Sequence, residues 1–197
     1  MAEPNGEMLT RKSIQLTVDV EKYVLTLCRY IANSRPITSI CLCGVPALRN
    51  FEGKAPLEVL LIIDGFKPKI MNYIKFFHDT AVIFFAVDKW IFERDVERGF
   101  LGEVFAVQLL FPYKPLANAG YLKAKEIELK RRLIREILEN LVLEFPELCY
   151  VIHIKPEYFV YEAIQSRVRL FPPIRYMLTN FPCENIEDKI LYTIEEG

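Results

Sequence analysis

The sequence predicts an α/β protein, with a small mixed sheet flanked by helices in residues 1 to 116 and a helical region in 117 to 197. Two nearly continuous apolar runs, Leu57 to Ile63 and Ala81 to Val87, have the length and the β-branched or aromatic content of buried strands. Segments before and after these runs return to the 3.6-residue spacing of amphipathic helices. Beyond Tyr121 the helical spacing dominates.

From Ile14 to Ala32, Val18, Val20, Tyr23, Val24, Leu27 and Ile31 recur at helical spacing until Ser34-Arg35-Pro36 stops the pattern. Ile37 to Leu42 is short and β-branched and ends at Cys43-Gly44, so a strand is expected, with Cys41 and Cys43 on one side of it. A polar turn, Arg49 to Lys54, leads to the second strand, Leu57 to Ile63, bounded by Ala55-Pro56 and Asp64-Gly65. Pro68 to Phe77 is expected to be a helix, and Ala81 to Val87 a third strand ending at Asp88-Lys89.

Asp95 to Leu110 carries Val96, Phe100, Leu101, Val104, Val107 and Leu110 at helical spacing, with Pro112 and Pro115 ending it. The Pro- and Gly-containing stretch Phe111 to Gly120 reads as a linker between subdomains. Tyr121 to Phe145 is a long helix with Leu133, Ile134, Ile137, Leu138, Leu141 and Val142 on its apolar face. Lys155 to Phe181 is mainly helical, Pro156 and Glu157 supplying the usual first-turn residues, and Glu184 to Gly197 reads as a solvated acidic end.

Composition narrows the function. Of 197 residues 52% are hydrophobic and 26% charged, enough for a sizeable core. With 25 basic and 26 acidic residues the net charge is -1, which argues against a broad DNA-binding surface and requires any polyanion to meet a local patch. No apolar run approaches the roughly 18 residues of a membrane span. Met1 to Lys12 has no apolar core of a secretion signal, so a cytoplasmic location is expected. Five dispersed cysteines, Cys28, Cys41, Cys43, Cys149 and Cys183, fit buried reduced thiols, and with only His78 and His153 a zinc site lacks ligands.

One constellation bears on chemistry. Ile40-Cys41-Leu42-Cys43-Gly44-Val45 and, ten residues on, Pro56-Leu57-Glu58-Val59-Leu60-Leu61-Ile62 resemble the nucleotidyltransferase superfamily signature, an apolar-Gly-Ser turn followed by an Asp-x-Asp strand. Ala86 to Lys89, Phe100 to Glu103, Leu110 to Leu116 and Arg167 to Pro173 are similar to archaeal nucleotidyltransferase-domain proteins with a helical C-terminal half. The resemblance covers residues 37 to 180, and the Lys and Glu content suits a thermophilic source. It implies a sheet of nucleotidyltransferase type, a nucleoside triphosphate as ligand and Mg²⁺ as cofactor. In such a strand i and i+2 share a side, so two carboxylates face metal ions about 3.5–4 Å apart while a third comes from a neighbouring strand. The Gly-Ser turn lets backbone N–H groups approach the phosphates.

The chain departs from that pattern where it matters. Val45 replaces the turn Ser, Pro56 the first metal Asp, and Glu58 the second. The resemblance then leaves Glu58 and Asp88 as catalytic and metal-binding candidates and Gly44 and Val45 as the phosphate turn. Separately, Arg167, Arg169 and Arg175, with Tyr161 and Tyr176 nearby, suit a basic and aromatic wall that clamps a triphosphate, or equally a solvated helix face paired with Glu162. Asp88 equally suits a turn or a helix cap, and Glu103 a solvent-facing or capping position. The expected function is that of a catalytically weak or inactive member binding a nucleotide, RNA or a protein. Two alternatives stand beside it. One is an active Mg-dependent enzyme moving a nucleoside monophosphate to an unknown acceptor. The other is a non-catalytic protein using the Tyr121 to Phe145 helix for a partner or a homodimer.

Overall fold

Leu57–Ile63 forms the strand its sequence predicts, β2, and every residue in it but Glu58 is buried. A strand apolar on both faces belongs in the interior of a sheet. In the computed structural model, which describes residues 5–44, 56–78, 80–148, 150–151 and 153–170, β2 is the central strand of five. The order is β3-β4-β2-β1-β5, with β1 at Ile37–Cys43, β3 at Ile70–Phe77, β4 at Thr80–Asp88 and β5 at Tyr113–Ala117. The sheet is mixed: β2 runs parallel to β4 and antiparallel to β1, while β3 and β5 are antiparallel edges. Helix α1 (Asn5–Ala32) brings Val20, Val24, Cys28 and Ile31 into one core with Ile40, Leu42, Val59, Leu61, Phe84 and Ala86.

Two segments differ from expectation. Pro68 to Phe77 is not helical; Ile70–Phe77 pairs residue for residue with β4 through a tight turn at His78, whose φ is 50°. Its apolar residues fit helical spacing, but β-branched and aromatic side chains beside a strand partner favour the ladder. The expected linker contains β5, which pairs with the outer side of β1 from Cys43↔Tyr113 to Ile40↔Ala117. Pro115 is tolerated there because an edge strand leaves alternate N–H groups unpaired. Ser39 fixes this edge by donating its hydroxyl to the Ala117 carbonyl at 2.7 Å, and the Asn118 amide donates to the Thr38 carbonyl at 3.1 Å.

Because β3 lies beyond β4, the chain leaving β2 must pass the end of β4 before returning. Asp88, the last residue of β4, holds that strap. Its N–H donates to the Lys69 carbonyl at 2.7 Å, and its Oδ2 lies 3.1 Å from Lys69 Nζ as an ion pair. Its Oδ1 accepts the Trp90 N–H at 3.1 Å and so caps α2 (Lys89–Arg98).

By internal contacts the chain forms two compact units, Met1–Phe92 with Tyr113–Ala119, and Glu93–Pro112 with Gly120–Gly197. The sheet and α1 belong to the first. The second contains α3 (Ala119–Glu144) and α4 (Pro156–Leu170). In α3 the buried positions are Leu122, Glu126, Leu129 and Leu133, a helical stripe in its first half. Further along, the expected face is only partly covered: Ile134, Ile137 and Leu141 are half-buried, while Leu138 and Val142 are exposed. Glu126 is buried because one of its oxygens is met by Lys123 at 3.1 Å and Lys130 at 2.7 Å.

The helix expected over Asp95 to Leu110 is broken. α2 stops at Arg98, and the chain folds back round the wholly buried Asp95 through Gly99 (φ 61°) and Gly102 (φ 69°) before a 3₁₀ turn at Ala106–Leu110. Asp95 Oδ1 accepts the N–H groups of Leu101 (2.8 Å) and Glu103 (3.0 Å), and Oδ2 those of Phe105 and Ala106 (both 3.0 Å). Four charge-assisted bonds reward the turn over continued helix. Glu103 is correspondingly buried, and its carboxylate accepts from Arg132 Nη2 at 2.5 Å. Arg132 also donates to the Val96 carbonyl (2.9 Å) and to Glu136 (2.7 Å). Burial works against its charge, but Glu103 and Glu136 outweigh that and hold the guanidinium above its ordinary pKa.

Asp95→Asn keeps the volume but turns an amide N–H₂ toward backbone donors. Urea unfolding is expected to show a loss of about 3 kcal/mol; a loss below about 0.5 kcal/mol would contradict this role for Asp95.

Candidate functional site

In the β1–β2 ladder Cys43 stands opposite Glu58 and Cys41 opposite Leu60. Residues directly opposite share a face, so Glu58, Cys43 and Cys41 lie together on the side of the sheet away from α1. The two thiols are on one side as expected, buried and 3.8 Å apart. Gly44 follows at once with φ 79°, a conformation that favours glycine. The candidate turn residue Gly44 and the candidate carboxylate Glu58 are thus brought to the same end of the sheet.

Glu58 is half-buried, and desolvation pushes its carboxyl from 4.5 up to about 7. The Cys43 thiol is pushed well above its ordinary value by its hydrogen bond with Cys41, by burial and by the charges of Cys41 and Glu58. Cys28 is raised to about 12, mainly by burial. Cys28 and Cys43 are therefore protonated core thiols at neutral pH.

Asp88 is not brought to this end. The parallel β2–β4 ladder sets Glu58 opposite Ile83 and Ile63 opposite Asp88. Five residues of strand at about 3.3 Å each separate the two carboxylates by about 17 Å along the sheet, well over the 3.5–4 Å between paired metal ions. Asp88 is also committed to the strap and to α2. The residue facing Glu58 across the ladder is Ile83, and the residue two before it is Pro56; neither carries a ligand atom on its side chain. Among the described residues no three of His, Cys, Asp and Glu are grouped to hold a metal ion. Among the described residues, the donor set at Glu58 does not fit a two-ion site.

Val45 and Arg175 lie outside the described residues, as do Cys149 and Cys183. Arg167 and Arg169 are on α4, with their side chains outside the described part.

The second unit holds a groove of about 480 Å³ between α2 and α3 that sequence reading did not single out. Its charges are mostly matched internally: Glu97 pairs with Arg94, Glu128 with Lys125 at 2.8 Å, and Arg132 with Glu103 and Glu136. Arg131 and Arg135, one helical turn apart on α3, are exposed and make no ion pair among the described residues. They leave the groove with two uncompensated positive charges above the apolar Ile127. The sequence carries no signal that separates them: Lys130, Arg131, Arg132 and Arg135 each have an acid one turn away, and only the structure tells the paired cations from the others.

No protein-family model matches the chain, and no curated protein matches it. Among solved structures it is similar to a nucleotidyltransferase-like protein from Exiguobacterium sibiricum, with 13% identity, coverage of 90% of this chain and 72% of that one, and a TM-score of 0.43. No helix among the described residues is long and apolar enough to cross a membrane.

The Glu58 carboxyl should titrate by NMR near pH 7. Its folded pKa stands above the unfolded one, so its contribution to stability is fully present below about 4.5 and is lost as pH rises to about 7, a change of at most about 3 kcal/mol. Glu58→Gln removes that dependence; unfolding curves of the two proteins should diverge across this window, with Gln favoured at pH 8. A Glu58 midpoint near 4.5 would contradict the burial described.

Proposed function

We propose that this chain is a nucleotidyltransferase-fold protein that binds a phosphate-bearing ligand, a nucleotide or a nucleotide end of RNA, without transferring a nucleoside monophosphate. The carrying observation is the register that leaves Glu58 alone beside Gly44, with Asp88 five residues away and held by backbone and Lys69. Nucleotidyl transfer depends on divalent ions clamping the attacking and leaving oxygens, and one carboxylate facing an isoleucine supplies too few ligands for that clamp. Phosphate binding asks less: cations with free N–H donors suffice. Arg131 and Arg135 in the α2–α3 groove offer them, and Arg167, Arg169 and Arg175 extend the basic content of the same half of the sequence. The near-neutral net charge agrees with a focused site rather than a basic coat.

Calorimetry with ATP, CTP and GTP, with and without Mg²⁺, beside an incorporation assay with labelled triphosphates, tests this. Binding that persists without Mg²⁺, weakens at least about tenfold in the Arg131→Glu/Arg135→Glu double variant, and is accompanied by no incorporation is expected. Robust incorporation abolished by Glu58→Ala would overturn the proposal.

A further inference from the structure

Among the described residues, strand β3 is a sheet edge with no strand beyond it, met only at its Phe76 end by the Tyr23 hydroxyl. It pairs with β4 over eight consecutive residues without a bulge, contains no proline, and carries one charge, Lys75. Ile74 is 61% and Phe76 67% exposed, and Ile70 and Met71 are exposed beside them. Natural sheets blunt their edges with bulges, prolines, charges or short strands. The opposite edge follows that rule: β5 has five residues, Pro115 among them, a register shift against β1, and a Lys114–Glu21 ion pair at 2.6 Å. β3 does not.

The hydrogen-bond parity of β3 follows from its turn. A two-residue connection makes Phe77 and Thr80 a hydrogen-bonded pair, so the N–H and C=O groups of Ile70, Asn72, Ile74 and Phe76 point away from β4. The Phe76 carbonyl agrees: it accepts the Tyr23 hydroxyl at 3.0 Å. Tyr73 and Phe77 pack toward the α1 core, while Ile74 and Phe76 lie on the other face, opposite Ile83 and Ala81.

We propose that β3 pairs antiparallel with β3 of a second copy of this chain, about a twofold axis at Tyr73. That register sets Ile70 against Phe76, Asn72 against Ile74 and Met71 against Lys75, so outward-pointing backbone groups meet one another, the Phe76 carbonyl taking the Ile70 N–H of the second copy beside or in place of the Tyr23 hydroxyl. The two Lys75 ammonium groups never face each other, and each lysine stem lies along a methionine. The strand is therefore its own complement in charge and in apolar pattern. The pairing is isologous and makes a continuous ten-stranded sheet whose outer edges are both β5; since β5 is blunted, assembly stops at the dimer. A seven-residue ladder with its flanking apolar side chains lies toward the lower end of interface size, so the dimer dissociates on dilution.

Sedimentation of the full chain is expected to show dimer at about 100 µM and monomer on dilution. Asn72→Pro removes an outward N–H and no β3–β4 bond, so it should raise the dissociation constant at least about tenfold with the circular dichroism melt unchanged. Tyr73→Cys should form a covalent dimer on mild oxidation, because residues facing across a non-hydrogen-bonded pair are within disulfide reach, whereas Lys75→Cys should not. A strict monomer at that concentration would overturn the proposal. So would a dimer that withstands Asn72→Pro and is not trapped by Tyr73→Cys; the contact would then lie elsewhere, as on the exposed end of α3. If Asn72→Pro fails to fold, the cysteine pair decides alone.

Discussion

Strand β2 is clamped between an antiparallel neighbour and a parallel one, and both ladders run without a slip over Val59 to Ile62. Its residues are buried on both faces except at Glu58, so a shift of one position would turn Glu58 into the α1 core and the apolar set of each face onto the other. Burying an unpaired carboxylate there costs several kcal/mol, which makes the register a strong constraint. Everything said of the site follows from it. Glu58 lies beside Gly44 because β1 and β2 are antiparallel, and apart from Asp88 because β2 and β4 are parallel.

Two buried acidic residues, Asp88 in the first unit and Asp95 in the second, are engaged in structure. Asp88 ties a crossing strap to the end of β4 and starts α2, and Asp95 gathers four backbone N–H groups where a helix would otherwise have continued. A carboxylate whose oxygens already accept such bonds would have to give them up to bind a metal ion, at a cost of about 1.5–3 kcal/mol for each charge-assisted bond. Glu58 is the reverse case: no partner among the described residues neutralises it, and burial raises its pKa toward neutrality. The same division recurs in the α2–α3 groove, where Arg132 is locked by Glu103 and Glu136 and Arg131 and Arg135 are not.

What could be read from the sequence was what local pattern determines. The strands β1, β2 and β4, the helices α1 and α3 and the placing of Cys41 with Cys43 on one face follow from period and length; the nearness of Gly44 to Glu58 was implied only by the family resemblance. The segments misread were those decided by distant partners. Ile70–Phe77 has apolar residues in adjacent pairs, which suit a helix until β4 offers a ladder; Tyr113–Ala117 has two turn-like residues nearby and becomes a strand because β1 has a free edge. Asp88 takes the helix-cap position its sequence equally suits, accepting the Trp90 N–H. Its place at a strand end was legible, but which end depends on β3 lying outside β4, and no local signal encodes that order. Asp95 could have been noticed as an acid between the buried helix positions Phe92 and Val96 ahead of a Gly-containing turn.

The claim that Glu58 and Asp88 cannot share an ion is tested most directly by paramagnetic Mn²⁺ followed through the amide resonances of the labelled chain. The account predicts that no single saturable Mn²⁺ site is lost in Glu58→Gln and in Asp88→Asn alike, since carboxylates about 17 Å apart along β2 and β4 cannot coordinate one ion. One saturable site that either substitution abolishes would contradict it.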